Sequence, residues 1–413
     1  MPSTPLTDHP PTDHPPTGHS PATDLPAPRT PADDDSARPD LPSRLWHAAG
    51  PAVAVYAGAL VLHLVLLSAM ITRPGTTLTD RLTSWDGRHF LEIASGGYPD
   101  SYTYTPQGEL TGNNLAFFPL FPWLVRLVHA VTGLSWSVAG IVAAQLALLA
   151  ALVLIHQLVA RLYSRRTATI VLVLLAAAQP MSLVFFMSYS ESLLLATAAA
   201  TLLAAHRRAW ITAGVFAFLA GLTRPAGIAV IAALGVAALI EMVRERRVSA
   251  RPLAATALAC TSTPLYLWWV ADRLGSTDAW FTVQRAGWDT HWDWGASLWD
   301  FLVHTLQTGE GWVPVSIAVL VVAHLLGTVL TVRRTTWPPL LVYGGTVIVL
   351  TLAQSNYYHC KPRLLAPALI FLLPVAGALA RARRSTQIAV LAGAALFGCW
   401  YGAYMVTAWP YAI

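Results

Sequence analysis

Apolar positions in this chain come in long blocks rather than in alternation. From Pro51 to Ile71 almost every residue is apolar, enough to cross a bilayer, which takes about 20 such residues. Comparable blocks recur at 136–160, 167–187, 191–206, 209–223, 225–243, 251–271, 312–333, 337–355, 363–380 and 386–408. The pattern predicts an all-α polytopic membrane protein with about eleven transmembrane helices. The blocks 191–206 and 209–223 are short, which suits a kinked or partly re-entrant path. Two polar intervals interrupt the series: a first loop, 74–135, expected to carry short surface helices, and a later one, 272–311. Residues 1–45 are rich in Pro, Thr, Asp and His and repeat TDHPP at Thr7–Pro11 and Thr12–Pro16, so they read as a disordered tail. His9, His14 and His19 fall in that tail and read as low-complexity residues rather than a metal site. Residues 46–413 form the membrane domain.

Composition sharpens this picture. The chain has 413 residues, 55% hydrophobic and 11% charged, with a mean hydropathy of +0.52. Such a sequence is too apolar for a soluble protein of this length. The net charge of +5 does not point to nucleic acid, because the arginines sit in short clusters between apolar blocks. If the N-terminus is cytoplasmic and Leu115–Thr132 lies flat, those clusters (Arg161–Arg166, Arg207–Arg208, Arg244–Arg251, Arg333–Arg334, Arg381–Arg384) all face inward, while most acids face out. The positive-inside rule therefore predicts a multi-pass cell-membrane protein with the Ser84–Pro122 stretch and the C-terminus outside. Cys260, Cys360 and Cys399 show no paired spacing, so neither a disulfide nor a metal cluster is expected.

The Ser84–Pro122 stretch is the longest polar insertion in the first half. It starts as a short helix, with Ser84 able to cap it, Asp86 in its first turn and Gly96-Gly97 at its end. Asp86 and His89 then share a face, a carboxylate and an imidazole at a membrane rim. Three more polar segments reach the same side: Gln179–Ser192, the turn Thr223–Gly227, and Asn356–Arg363 below the 272–311 loop. Chemistry is expected there.

These segments carry a recognisable signature. Trp85-Asp86-x-x-His89-Phe90-Leu91-x-Ile93-Ala94-x-x-Gly97-Tyr98, then Asn114-x-Ala116-Phe117-Phe118-Pro119-x-x-Pro122, Pro180 with Tyr189-Ser190-Glu191-Ser192, and Arg224-x-x-Gly227 resemble the GPI mannosyltransferase II (PIG-V-like) family, within the GT-C glycosyltransferases. The second half resembles it in hydropathy and loop placement alone. The resemblance implies an enzyme that takes mannose from polyprenyl-phosphate-mannose on the extracytoplasmic side and passes it, with inversion, to a glycan or glycolipid. It also implies that Asp86 is the catalytic carboxylate. The family's GPI acceptor does not carry over.

The residues agree with this chemistry. Asp86 can act as general base, with His89 binding phosphate or bracing it. Arg224 suits a donor phosphate, since a guanidinium grips phosphate with two parallel bonds. It could also snorkel to the interface. Lys361, the only lysine, forms with His359 and Arg363 a basic cluster expected to bind anion. Arg88, Tyr189 and Glu191 complete the substrate-binding set, Glu191 either orienting the acceptor or capping its helix. The run Trp288–Trp294 suits sugar stacking or simple interfacial anchoring. The acids near Asp86 lie six residues away, so no metal and no cofactor are expected. Other readings remain: a GT-C enzyme for a different sugar or a protein acceptor, a transporter or flippase of a lipid-linked sugar, or a structural subunit of an envelope complex.

Overall fold

The computed structural model describes residues 41–309, 311–333 and 337–413, with side chains from residue 49. The 1–45 tail and its histidines lie, up to residue 40, outside the described residues. Leu45–Ile413 forms one compact unit, which carries the membrane-spanning helices and the polar loops between them.

The protein is an all-α polytopic membrane protein. Among the described residues five helices are long and apolar enough to cross a membrane: Ala49–Met70, Trp136–Leu162, Pro225–Glu245, Trp312–Val332 and Arg384–Thr407. Tyr358–Ala368 and Leu372–Arg381, bent by 57°, make a sixth if they count as one span. Glu191–His206, Trp210–Gly221 and Pro338–Leu352 are apolar but shorter. Ala250–Leu274 is a further 25-residue helix.

One expected span is broken. Instead of a helix over 167–187, Arg165–Val173 passes into a π-helical turn, Leu174–Ala178, and stops. Pro180 explains the stop: its ring pushes the preceding residue out of the helical region, and Gln179 is extended. A 3₁₀ segment, Ser182–Phe186, follows, wholly buried. The broken segment lets the turn after it reach the polar end of the bundle. There the Ser188 amide donates to Leu82 O at 2.8 Å and the Tyr189 hydroxyl to Ser84 O at 3.1 Å.

The first loop folds into short pieces. Helix Leu120–Thr132 has 13 residues and is about 20 Å long, well under the ~30 Å of a hydrocarbon core. Its Phe121, Val125 and Val128 pack with Phe90 and Ala94 of helix Asp86–Gly96 and with Ala139 and Ala143 of Trp136–Leu162. Arg126 fixes the join, donating to Ile93 O and Ala94 O at 2.9 and 2.6 Å. Sequence periodicity did not reveal the hairpin pairing Thr103–Tyr104 with Leu110–Thr111, nor helices Ala279–Trp288 and Ala296–Thr308 in the later loop. Hairpin and loop helix meet backbone to backbone: a Cβ on Gly287 would stand 2.7 Å from Gly112 Cα. Only glycine permits that approach.

At the opposite end the connections are basic. Arg208 pairs with Glu241 at 3.0 Å, and Arg166 donates to Ala382 O and Gln387 Oε1 at 3.1 and 2.7 Å.

Candidate active site

Asp86 starts its helix after an unusual residue. Trp85 has φ +52°, a left-handed conformation that costs a bulky side chain on the order of 1–3 kcal/mol. Ser84 therefore does not cap the helix as expected. Its hydroxyl turns back to Arg81 O at 2.8 Å, and its carbonyl receives the Tyr189 hydroxyl. Gly97, with φ +88°, ends the helix as the sequence suggested. The strained entry directs Asp86 into a cavity of about 770 Å³.

A line of charges runs along one wall of that cavity. Arg363 Nη1 lies 2.7 Å from Asp86 Oδ2, and Arg363 Nε lies 3.5 Å from Glu191 Oε1. Arg224 Nη1 reaches the same Glu191 oxygen at 2.7 Å. Glu191 is 1% exposed and Arg363 6%, so the two central members of this sequence of four alternating charges are desolvated, while Asp86 and Arg224 at its ends are partly exposed to the cavity. The Arg363 guanidinium also stands 5.2 Å over the Tyr189 ring. Each group is set by local structure. Glu191 begins helix Glu191–His206 at the end where the helix dipole favours a carboxylate. Arg224, extended at φ −174°, precedes the 3₁₀ turn Pro225–Gly227.

The expected site residues divide into three groups. Asp86, Arg224 and Arg363 line the cavity. Glu191 and Tyr189 stand behind the two arginines. The others are not brought to the cavity wall. His89 Nδ1 is 2.8 Å from Asn114 Oδ1, and its ring stacks on Phe117, itself a lining residue. Arg88 is exposed. His359 stacks against Tyr357 and Tyr411. Lys361 turns inward, its ammonium donating to Thr351 O and Gln354 O at 3.3 and 3.0 Å, at the C-terminal end of helix Pro338–Leu352. The basic cluster read in His359-x-Lys361-x-Arg363 thus separates, because a 3₁₀ turn and a short helix aim the three side chains differently.

On the other wall the sequence had singled out the Trp288–Trp294 run, as sugar-stacking or anchoring, but not Trp280, Gln284 and Arg285 before it. Trp280, Gln284, Arg285 and Trp288 of helix Ala279–Trp288 line the cavity, as do His291 and Trp292. Trp280, Gln284 and Trp288 recur at i, i+4 and i+8, a one-faced helical stripe that was available as a signal. Asp293 closes this segment by accepting amides from Gly295 and Ser297, each at 2.9 Å. Burial alone would raise its carboxyl, but the Ser297 and Gly295 hydrogen bonds and the charge of Lys361 outweigh that and hold it below the usual range. Among the described residues no group of three His, Cys, Asp or Glu side chains is arranged to hold a metal ion.

Fold and site together define a multi-pass α-helical membrane protein with a charged cavity at one end of its bundle. Residues 60–245 match the sequence model of the mannosyltransferase (PIG-V) family, so the family resemblance carried by the Asp86, Tyr189–Ser192 and Arg224 motifs is shown over that segment. Two solved structures share the fold. ArnT from Cupriavidus metallidurans bound to undecaprenyl phosphate has TM-score 0.51 and 16% identity, covering 84% of this chain and 63% of that one. The same protein in the apo state has TM-score 0.51 and 18% identity over the same shares. The chain thus spans 63% of the length of the ArnT structures it matches. Comparison with curated proteins finds no match.

Proposed function

We propose that the protein transfers mannose from polyprenyl-phosphate-mannose to a hydroxyl acceptor within this cavity, with inversion and with Asp86 as general base. The observation that carries the reading is that Asp86 and two phosphate-competent arginines, Arg363 and Arg224, face one cavity. ArnT, of like fold, is a protein solved with a polyprenyl phosphate, and the matched family is described as mannosyltransferases. Before substrate enters, Arg363 is committed to Asp86. A donor phosphate arriving beside Arg224 competes for that guanidinium and frees a carboxylate oxygen. The acceptor O–H proton passes to Asp86, the acceptor oxygen bonds to the anomeric carbon, and the bond from that carbon to the phosphate oxygen breaks. Its electron pair leaves with the phosphate, where the arginines stabilise the developing charge. Glu191 holds both arginines in place. The arginine-rich opposite end supports an extracytoplasmic cavity.

The test uses the full chain reconstituted with radiolabelled polyprenyl-phosphate-mannose. Asp86→Asn keeps the shape of the side chain but removes the basic oxygen. Mannose transfer should fall on the order of 10²–10⁴-fold while the protein reaches the membrane in normal amount. Parental turnover by this variant would overturn the mechanism.

A further inference from the structure

We infer that the cavity contains a carbohydrate acceptor subsite in which His291 accepts a hydrogen bond from a sugar hydroxyl. The inference deepens the transferase reading and rests on it. The second wall is built around one imidazole whose orientation and tautomer are fixed from behind. His291 Nδ1 lies 3.0 Å from Asp289 O, 2.8 Å from Ser355 Oγ and 3.5 Å from Asp289 Oδ1. A carbonyl and a carboxylate only accept, so Nδ1 carries the proton. Ser355, 5% exposed, is fully used: its hydroxyl donates to Asp289 O and accepts from the His291 amide at 3.0 Å. The backbone is pinned as well, with the Ser355 amide donating to His291 O at 2.9 Å and Trp292 bridged to Gln354.

Such a histidine presents a bare Nε2 lone pair, and among the described residues no protein hydrogen bond engages it. His291 lines the same cavity as Asp86. Its neighbours there indicate the ligand class. Trp288 and Trp292 offer aromatic faces. Gln284 commits its amide N–H to Ala116 O at 3.1 Å, which leaves its carbonyl oxygen as a second neutral acceptor. Aromatic surface beside neutral acceptors suits a ring with an apolar C–H face and a hydroxyl edge, namely a pyranose. Arg285 lines the same wall and can donate to a sugar hydroxyl, so the ring's hydroxyl edge meets a donor as well as acceptors.

The full chain in lipid nanodiscs is titrated with methyl α-mannobioside, followed by saturation-transfer NMR. Saturable binding is expected for the wild type. His291→Ala should weaken it about 2–13-fold, the range of one neutral hydrogen bond. His291→Gln, whose amide oxygen reaches the Nε2 position, should restore it to within about twofold of wild type by the same measure. On the same samples, release of mannose from polyprenyl-phosphate-mannose to water without acceptor should be measurable for the wild type and fall on the order of 10²–10⁴-fold in Asp86→Asn. Absent glycoside binding, equal binding by wild type and His291→Ala, or His291-dependent binding of a Ser/Thr peptide instead would each overturn the subsite. If the wild type binds the glycoside through His291 but never cleaves the donor, the subsite stands and the transferase reading falls.

Discussion

The two walls of the cavity are built on opposite principles. The Asp86–Arg363–Glu191–Arg224 wall is buried at its centre, ion-paired throughout and carried by the starts of helices and by tight turns. The Trp280–Trp292 wall is aromatic, partly open and held by backbone hydrogen bonds to the neighbouring loop. A desolvated charge sequence fixes geometry strongly but tolerates no missing member, since each loss strands a charge. An aromatic wall fixes less and can change its ligand without endangering the fold. On the proposed mechanism the contrast gives donor handling to the first wall and acceptor choice to the second.

The largest effect should come from breaking the charged wall at its centre. Arg363→Ala leaves Asp86 without its ion-pair partner and Glu191 with Arg224 alone. Breaking a fully buried pair costs about 3–5 kcal/mol; with Asp86 partly exposed and Glu191 still paired, a smaller but clear drop in thermal stability should accompany loss of transfer. Unchanged melting and turnover would show that the ion pairs are incidental. A smaller and one-sided effect is expected at the seam of the second wall. Gly287→Val forces apart the backbones of hairpin and loop helix, at about 1–3 kcal/mol of strain. Acceptor KM should rise while donor KM stays near wild type, and equal change in both would erase the division of labour. The smallest effect concerns Asp293. Its carboxyl is held below its usual range, so its stabilisation is present above the unfolded-state pKa and fades as pH falls through the lower folded-state value. Asp293→Ala should speed amide exchange over 288–297 at neutral pH, and the difference from wild type should disappear in acid. A difference that persisted there would assign the effect to packing.

Legibility differed between the walls for a physical reason. Asp86, Glu191 and Arg224 lie within the motif-bearing segment, beside residues whose spacing places them in the polar intervals between apolar blocks. Arg363 was legible as a charge opposing the topology rule, but not its pairing with Asp86, which depends on a contact between residues far apart in sequence. Lys361 carried the same sequence signal yet turned inward, because its direction depends on a single helical turn. Trp280 and Gln284 were hidden in a loop too polar to register as a hydropathy block. The break at Ala178 was missed because a π-helical turn keeps the same apolar composition as the α-helix it interrupts, and only Pro180 marked it.

The neutrality of the charged wall has a consequence for the end of the catalytic cycle. Two arginines and two carboxylates cancel, so those four groups together carry no net charge. A sugar-loaded phosphodiester carrier brings one negative charge, whereas the spent phosphomonoester carries about −1.5 to −2 at neutral pH. On the proposed mechanism, protonation of Asp86 after transfer releases Arg363 from it and leaves two guanidinium groups against the single Glu191 carboxylate, a net charge of +1 that favours the extra negative charge. If the proposed transfer holds, the site should grip the spent lipid harder than the loaded one, and turnover should be limited by the departure of the carrier rather than by the sugar's transfer.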